Sequence, residues 1–488
     1  MNRLASTLLL LMSITFVMGA NQISFADELT PALISQTINQ DTIPISRIAE
    51  EISRIRTSGS LPAVMLKWPK AERENFLNFY AARSDLPLWF GGEALNERRD
   101  ELQRRLSSAD DDGMNAEDYP APFISASETD TRKIAEADLI LSASAVSFAR
   151  DARGARIDTI RLSKLITPKL MLPRPTMVLS DLMGADHVGD RLEAYQPRHK
   201  AYQKLKARLM ELRETTGSLS DAEPVIIKTT GPKARTTTAM VSMTAPNAFD
   251  LIANMERWRW VPPELGADHI FVNLPEFNLK LIRHGEVVHT TRTVVGKPDT
   301  ATPIFSAAIN SIIVNPSWHV PESIIRNEFL PKMAEDPTYA EKSGYEVTQI
   351  GENIAIRQPP GERNALGLIK FNLPNEHAVY LHDTPMRKLF ANVDRAYSHG
   401  CVRVENPFSL AAAVLQDPRY SEEGLKAFVG RDERLIKLIE PLPVHLAYFT
   451  VITGEDGQLR RLGDIYGYDG LVLTALKLDQ RRNYAALK

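Results

Sequence analysis

The sequence predicts a multi-domain α+β protein in which a helical N-terminal domain precedes a β-rich, sandwich-like domain interrupted by a helical excursion. Three observations carry that expectation. A chain of 488 residues is longer than one compact hydrophobic core serves, so it divides. Up to about residue 215 apolar side chains recur with the period of a helix, whereas from about 268 the period falls to two. Between the two regimes, residues 217–245 are dominated by Gly, Ser, Thr, Lys and Pro and read as a linker.

The elements follow in order. Arg3, an apolar run from Leu8 to Met18 and the small residues of Ser24-Phe25-Ala26 form the pattern of a secretory signal peptide, so residues 1–26 are expected to be cleaved. That run is short for a bilayer span, which takes roughly 20 residues. Residues 27–70 are polar, lack a dominant period and read as a flexible segment. The helical domain is expected over 71–215. Its stripes are Leu95, Leu102, Leu106 and Ala109, then Ile134, Leu141, Ala145, Phe148 and Ala152, then Tyr202, Leu205, Leu209 and Leu212. Asp110-Asp111-Asp112-Gly113 and Gly154 stand where helices stop. Residues 216–267 are the linker and a connecting helix that starts near Pro246 and ends near Trp258 and Trp260.

Alternation then marks strands at His269–Asn273 and Asn278–Ile282, with a turn at His284-Gly285 and a return strand from Glu286 to Val295. Ile309–Val314 is another strand, Glu322–Ala340 is helical, and Ala378–Leu381 resumes a strand that ends on His382. The β-rich domain is expected over 268–448, followed by a tail over 449–488.

Composition narrows the function classes. Apolar residues make up 43% and charged residues 24%, with a formal net charge of −3 and no clustered basic run, so nucleic acid and anionic membrane surfaces are not indicated. Exported proteins use cysteine mostly in disulfide pairs. This chain has one cysteine, Cys401. A solitary exported thiol points to an intermolecular bridge, a reactive group or a small buried apolar residue.

Its neighbours favour reactivity. Cys401 sits in Ser398-His399-Gly400-Cys401-Val402-Arg403, and His382 ends a strand upstream. A free thiol, with a pKa near ~8.5, needs a nearby imidazole or another positive influence to act as a nucleophile at neutral pH. Gly400 permits close approach of substrate or a positive φ, and the backbone N–H groups of Gly400 and Cys401 could face a developing oxyanion. His377, His382, His399 and Cys401 lie near one another in sequence, but one cysteine without paired spacing argues against zinc.

The span from His382 to Ser398-His399-Gly400-Cys401 resembles the signature of the L,D-transpeptidase (YkuD-type) catalytic domain. Asn254 to Trp260, Val295-Gly296-Lys297, Ser317 to Pro321 and Gly361…Asn364…Gly367 resemble segments of its larger, multi-domain branch. The helical region with Phe79-Tyr80, Pro87-Leu88-Trp89 and Ala149-Arg150-Asp151 resembles that branch's scaffold domain.

The resemblance implies roles. Cys401 would be the nucleophile and His382 the general base, oriented by the backbone carbonyl of Asp383. His399 would be an oxyanion-side group or second base, and Gly400 would contribute oxyanion-hole backbone. Ser398, Arg403, Trp318 and Tyr380 would face the substrate. Arg403 stands where many members carry Asn, a departure shared by the larger branch; its planar fork suits a carboxylate. The implied reaction joins peptidoglycan stem peptides by 3→3 cross-links through a cysteine thioester, in the periplasm, with no cofactor, no metal and no membrane span after signal cleavage. Alternatives are an L,D-carboxypeptidase, an enzyme anchoring outer-membrane proteins to the wall, or a non-catalytic wall-binding scaffold. A separate peptidoglycan-binding module is not recognisable in residues 190–245.

Overall fold

The structure is a computed structural model that describes residues 43–216, 245–351 and 353–478. The expected signal segment and most of the linker lie outside those residues.

In the helical half, α1 (Ile45–Ser58), α2 (Lys70–Ala82), α3 (Glu93–Ser107) and α4 (Thr131–Asp151) share one core. α4 is buried on nearly every side from Ile134 to Arg150, so it is a central helix rather than an amphipathic one. Asp130 caps it by accepting from the backbone N–H groups of Arg132 and Lys133. Inside the core, Asp138 accepts from the backbone N–H of Leu88 (2.9 Å) and of Trp89 (2.8 Å) and from the Tyr80 hydroxyl (2.7 Å). Burial still raises its carboxyl to about 6, with those donors acting the other way.

The expectation that 27–70 is flexible needs correction where the chain is described. α1 buries Ile48, Ile52 and Ile55 against α4, an i, i+4, i+7 stripe hidden in the sequence among charged residues. The helical domain therefore starts near residue 43.

The β domain contains β1 (His269–Asn273), β2 (Asn278–Arg283), β3 (Glu286–Gly296), β4 (Phe305–Val314), β5 (Trp318–His319), β6 (Glu346–Ile350), β7 (Asn353–Gln358), β8 (Ile369–Asn372), β9 (Leu381–His382), β10 (Ala396–Ser398), β11 (Val402–Val404) and β12 (Arg434–Ala447). The main sheet runs β10-β3-β11-β9-β8-β4-β12-β1-β2, and β2 also pairs with β3. Pairing thus closes the sheet around its own core and leaves few free edges. The β2–β3 turn works as its residues suggest: His284 (φ 51°) and Gly285 (φ 85°) both take the positive φ of a type I′ hairpin.

Between β4 and β8 the chain leaves the sheet as a small unit with its own core of Val320, Ile325, Phe329, Ala340 and Ile356. The expected helices are present, and β5, β7 and β6 add a three-stranded sheet that was not foreseen. The expected tail is also structured. β13 (Val451–Thr453) and β14 (Leu459–Arg461) form a hairpin, and the helix Tyr468–Ala475 follows. Tyr468 and Val472 enter the β-domain core, Asp469 pairs with Arg257 at 2.6 Å, and Asn254 accepts from the backbone N–H of Thr450 and Val451.

The halves are joined by a buried ionic network. Glu256, on the Ala248–Trp258 helix, accepts from Arg259 (3.0 Å) and Arg156 (3.1 Å). Arg259 also donates to the Asp112 carbonyl (2.6 Å) and the Tyr202 hydroxyl (3.0 Å). Burial opposes the charge on Asp112, but Arg105, Lys206 and Arg259 outweigh it and hold the carboxyl below its ordinary range. Replacing Glu256 by Ala strands two buried guanidinium groups. We expect Glu256→Ala to cost about 3–5 kcal/mol, measured as a lower urea midpoint of tryptophan fluorescence.

Candidate active site

Strand alternation builds the site. Phe371, Leu381 and Val402 occupy adjacent positions across β8, β9 and β11 and are fully buried in the β-domain core. One residue further along, Lys370, His382 and Arg403 form the next rung, paired through the same register, and side chains in one rung share a face of the sheet. Cys401 stands at the start of β11, so its sulfur reaches the face that carries the three basic side chains.

The loop before Cys401 is held from several sides. The Ser398 hydroxyl accepts from the backbone N–H of Gly400 (3.1 Å) and donates to the Cys401 carbonyl (2.5 Å). The Ser398 carbonyl accepts from Lys297 N–H and the Thr300 hydroxyl, each at 3.0 Å. Thr302 donates to the Gly400 carbonyl and accepts from Gly296 N–H, each at 2.8 Å. Gly400 has φ +115°, which a side chain would resist. A Cβ at Gly296 would overlap the Thr300 carbonyl, which explains the glycine of Val295-Gly296-Lys297.

On the other side, the Gly361…Asn364…Gly367 motif shapes the approach to β8. The Asn364 side chain donates to the Gln358 and Pro359 carbonyls and accepts from Leu366 N–H. Gly367, at φ +62°, passes where a Cβ would overlap the Asp383 side chain. The Asp383 carboxylate accepts from Leu368 N–H (2.9 Å) and Arg387 (2.7 Å), so it braces the loop and leaves the ring of His382 alone. The Asp383 and Leu366 backbones are the polar neighbours that favour a proton on His382, although Nδ1 meets neither with full hydrogen-bond geometry.

Electrostatically the site is unusual for a cysteine–histidine pair. Burial first, then the charge of Arg403 and, more weakly, that of Lys370, lower His382 to about 3. Burial raises the Cys401 thiol, while Tyr380, Lys370 and Arg403 pull the other way. Cys401 itself remains part-exposed, although its surroundings are crowded. No hydrogen bond joins its sulfur to a nitrogen of His382, and burial favours the neutral form of both groups. Catalytic hydrogen bonds of this kind often shorten only with substrate in place. Nε and Nη1 of Arg403 are buried without a partner, and burial weighs against its charge. A buried, unpaired guanidinium can accept an anion at little further desolvation cost.

The other expected residues divide. The Tyr380 hydroxyl acts on the sulfur, the Trp318 side chain acts on that hydroxyl, and the Tyr380 ring meets His382 edge-on at 5.7 Å. His399 turns outward, and its Nε2 pairs with Glu328 (2.8 Å) on the π-helical segment Ile325–Phe329 of the excursion. The excursion thus reaches the catalytic loop. Lys370, Glu328 and Thr302 were missed by sequence reasoning. A lysine in an alternating strand ordinarily faces water, and only the pairing partners of β8 distinguish this one.

The low value for His382 has a measurable consequence. Below about 6.5 an unfolded imidazole takes up a proton that the folded one refuses until about 3. Stability is therefore lost as pH falls through that window. We expect His382→Gln to remove a slope approaching about 1.4 kcal/mol per pH unit, measured by urea denaturation of both proteins across pH 3.5–6.5.

Residues 267–424 match the L,D-transpeptidase catalytic domain (YkuD), and residues 74–209 match the Scaffold domain. A Haemophilus influenzae protein inferred to be an L,D-transpeptidase is 34% identical over 253 residues, which are 48% of this chain and 51% of the relative. The match thus spans about half the length of that relative. Among solved structures, L,D-transpeptidase 3 from Mycobacterium tuberculosis with a faropenem-derived adduct is 13% identical, covering 37% of this chain and 60% of that one, at a TM-score of 0.20. The catalytic domain of an E. faecium L,D-transpeptidase acylated by ertapenem is 16% identical, covering 37% of this chain and 95% of that one, at 0.17. At such scores the structural likeness adds nothing to the geometry. The chain thus carries a region similar to the L,D-transpeptidase catalytic domain (YkuD) behind a region similar to the Scaffold domain.

Proposed function

We propose that the chain is a peptidoglycan L,D-transpeptidase that forms 3→3 cross-links through a thioester on Cys401. The observation that carries this reading is the meeting, on one face of a closed sheet, of the chain's single thiol, a neutral buried imidazole and an unpaired guanidinium. A neutral His382 is ready to accept the thiol proton as sulfur attacks a carbonyl. The backbone N–H of Cys401 lies on the loop where an oxyanion would develop, whereas that of Gly400 is already donated to the Ser398 hydroxyl. Arg403 supplies a fork for a carboxylate of the stem peptide. The thiolate attacks the carbonyl at the L-centre of the diamino acid, the terminal D-Ala leaves with the proton, and an amine of a second stem resolves the thioester. The excursion from β5 to β7 acts as a lid over this groove, held by the His399–Glu328 pair.

The export pattern of residues 1–26 supports a periplasmic setting for this reaction, where peptidoglycan is the polymer at hand. A nucleophilic Cys401 is also a target for acylation by a carbapenem.

The test is mass spectrometry of tetrapeptide muropeptides incubated with the mature protein and with Cys401→Ala. Wild type should yield 3→3 dimers and free D-Ala, and Cys401→Ala should yield neither, a loss of at least about 10³-fold. Tripeptide without dimers would instead identify an L,D-carboxypeptidase. Transfer only to a protein amine would identify an anchoring enzyme. Incubation with a carbapenem should add one drug-derived mass to wild type and none to Cys401→Ala.

A further inference from the structure

Lys370 is a basic side chain at the site that neither the motif nor the family resemblance singles out. It lies on β8 directly opposite His382, which lies opposite Arg403 on β11. Its Nζ stands 4.1 Å above the centroid of the Tyr380 ring, and the hydroxyl of that ring acts on the Cys401 sulfur. Partial burial weighs against its charge, and the groups that favour the charge are Cys401 and, more remotely, Glu433. No carboxylate forms an ion pair with Lys370 or Arg403 among the described residues. Two cations thus face a thiol and a neutral imidazole without a resident counter-ion.

This layout has a consequence for how the nucleophile is activated. In a cysteine–histidine pair the imidazolium usually provides the positive charge that holds the thiolate. Here both neighbours of His382 in the rung are cations, and like charges on either side oppose a third. The same two cations favour a negative sulfur. We propose that Lys370 is a positioning residue that, together with Arg403, holds the charge of the Cys401 thiolate, while His382 carries the proton only in passing. The S–H bond breaks, the proton moves to His382 and then to the leaving amine, and the charge left on sulfur faces the Lys370 ammonium. The cation–π contact with Tyr380 fixes where that ammonium stands. The inference rests on the reading of Cys401 as the nucleophile and not on the identity of the acyl acceptor.

The test uses the thiol itself. Cys401 is the only cysteine, so iodoacetamide alkylation of the whole protein reports one sulfur. The groups that shape its pH profile are Lys370 from β8, His382 and Tyr380 from the β9 segment and Arg403 from β11, with the His399–Glu328 pair at the loop's outer side. We expect Lys370→Met to raise the midpoint of the rate–pH profile by about one unit and to slow alkylation at pH 7 roughly tenfold. Lys370→Arg should keep the midpoint near that of wild type, because it restores the cation. Coincident profiles for wild type and Lys370→Met would overturn the proposal, as would equal displacement of the Met and Arg variants, which would mean a packing role. A raised KM for stem peptide with an unmoved alkylation profile would also overturn it and make Lys370 a carboxylate-binding group. If Lys370→Met does not fold, by far-UV circular dichroism, Lys370→Gln is read in its place against Lys370→Arg. Alkylation needs no peptidoglycan, so failure of the cross-linking assay and failure of this proposal are separate results.

Discussion

The register of three short strands governs the rest of the structure. β8, β9 and β11 pair so that Phe371, Leu381 and Val402 form one rung and Lys370, His382 and Arg403 the next. Because side chains alternate across a sheet, the apolar rung must face the core for the basic rung to share the opposite face with Cys401. A slip of one residue would turn the three basic side chains into the apolar core and the three apolar ones onto the face that carries the thiol. Burial of the first rung therefore positions the second, and the same hydrophobic contacts that stabilise the β domain fix the catalytic geometry. The loops add only local corrections: Ser398, Thr300 and Thr302 hold the turn into Cys401, and Asp383 holds the turn after His382.

That arrangement explains the chemistry of the site in ordinary electrostatic terms. A histidine between two cations and out of water loses its proton readily, so it is available as a base but poor as a permanent counter-charge. A thiol in the same setting is penalised by burial and compensated by cations. The two groups are matched as neutral partners, and charge separation is deferred until substrate provides a reason for it. The guanidinium of Arg403 fits the same pattern, since its Nε and Nη1 are buried without a partner.

Distant parts of the chain serve this centre through packing. The Ala248–Trp258 helix is joined to the helical domain by Glu256, Arg259 and Arg156, to the C-terminal hairpin by Asn254, and to the helix after that hairpin by Arg257. Tyr466, beyond that hairpin, donates to the Gly296 carbonyl and accepts from Thr302 N–H. The C-terminal residues thus buttress the strand and loop that carry Cys401. The segments that carried the family resemblance outside the cysteine motif, including Asn254 to Trp260 and Gly361…Asn364…Gly367, do this kind of structural work.

Sequence reasoning reached far because several signals were local. Helical periodicity, the His284-Gly285 turn and the shift to a period of two are properties of neighbours along the chain, and the structure contains each of them. The solitude of Cys401 and its spacing from His382 needed no coordinates either. What remained hidden depended on partners remote in sequence. α1 looked polar because its three buried isoleucines are scattered among charges, and its burial is decided by α4 some 80 residues later. The tail looked detached because Asp469 finds Arg257 only after the chain has folded back. Lys370 was unreadable for the same reason: a lone lysine in a strand is a solvent-facing residue until β9 and β11 place an imidazole, a guanidinium and a thiol beside it. The amino-acid sequence by itself determined the two-part architecture and singled out Cys401 and His382, since these rest on local pattern and residue type. Tertiary structure alone decided the charge balance around the sulfur, because that balance depends on which strands become neighbours.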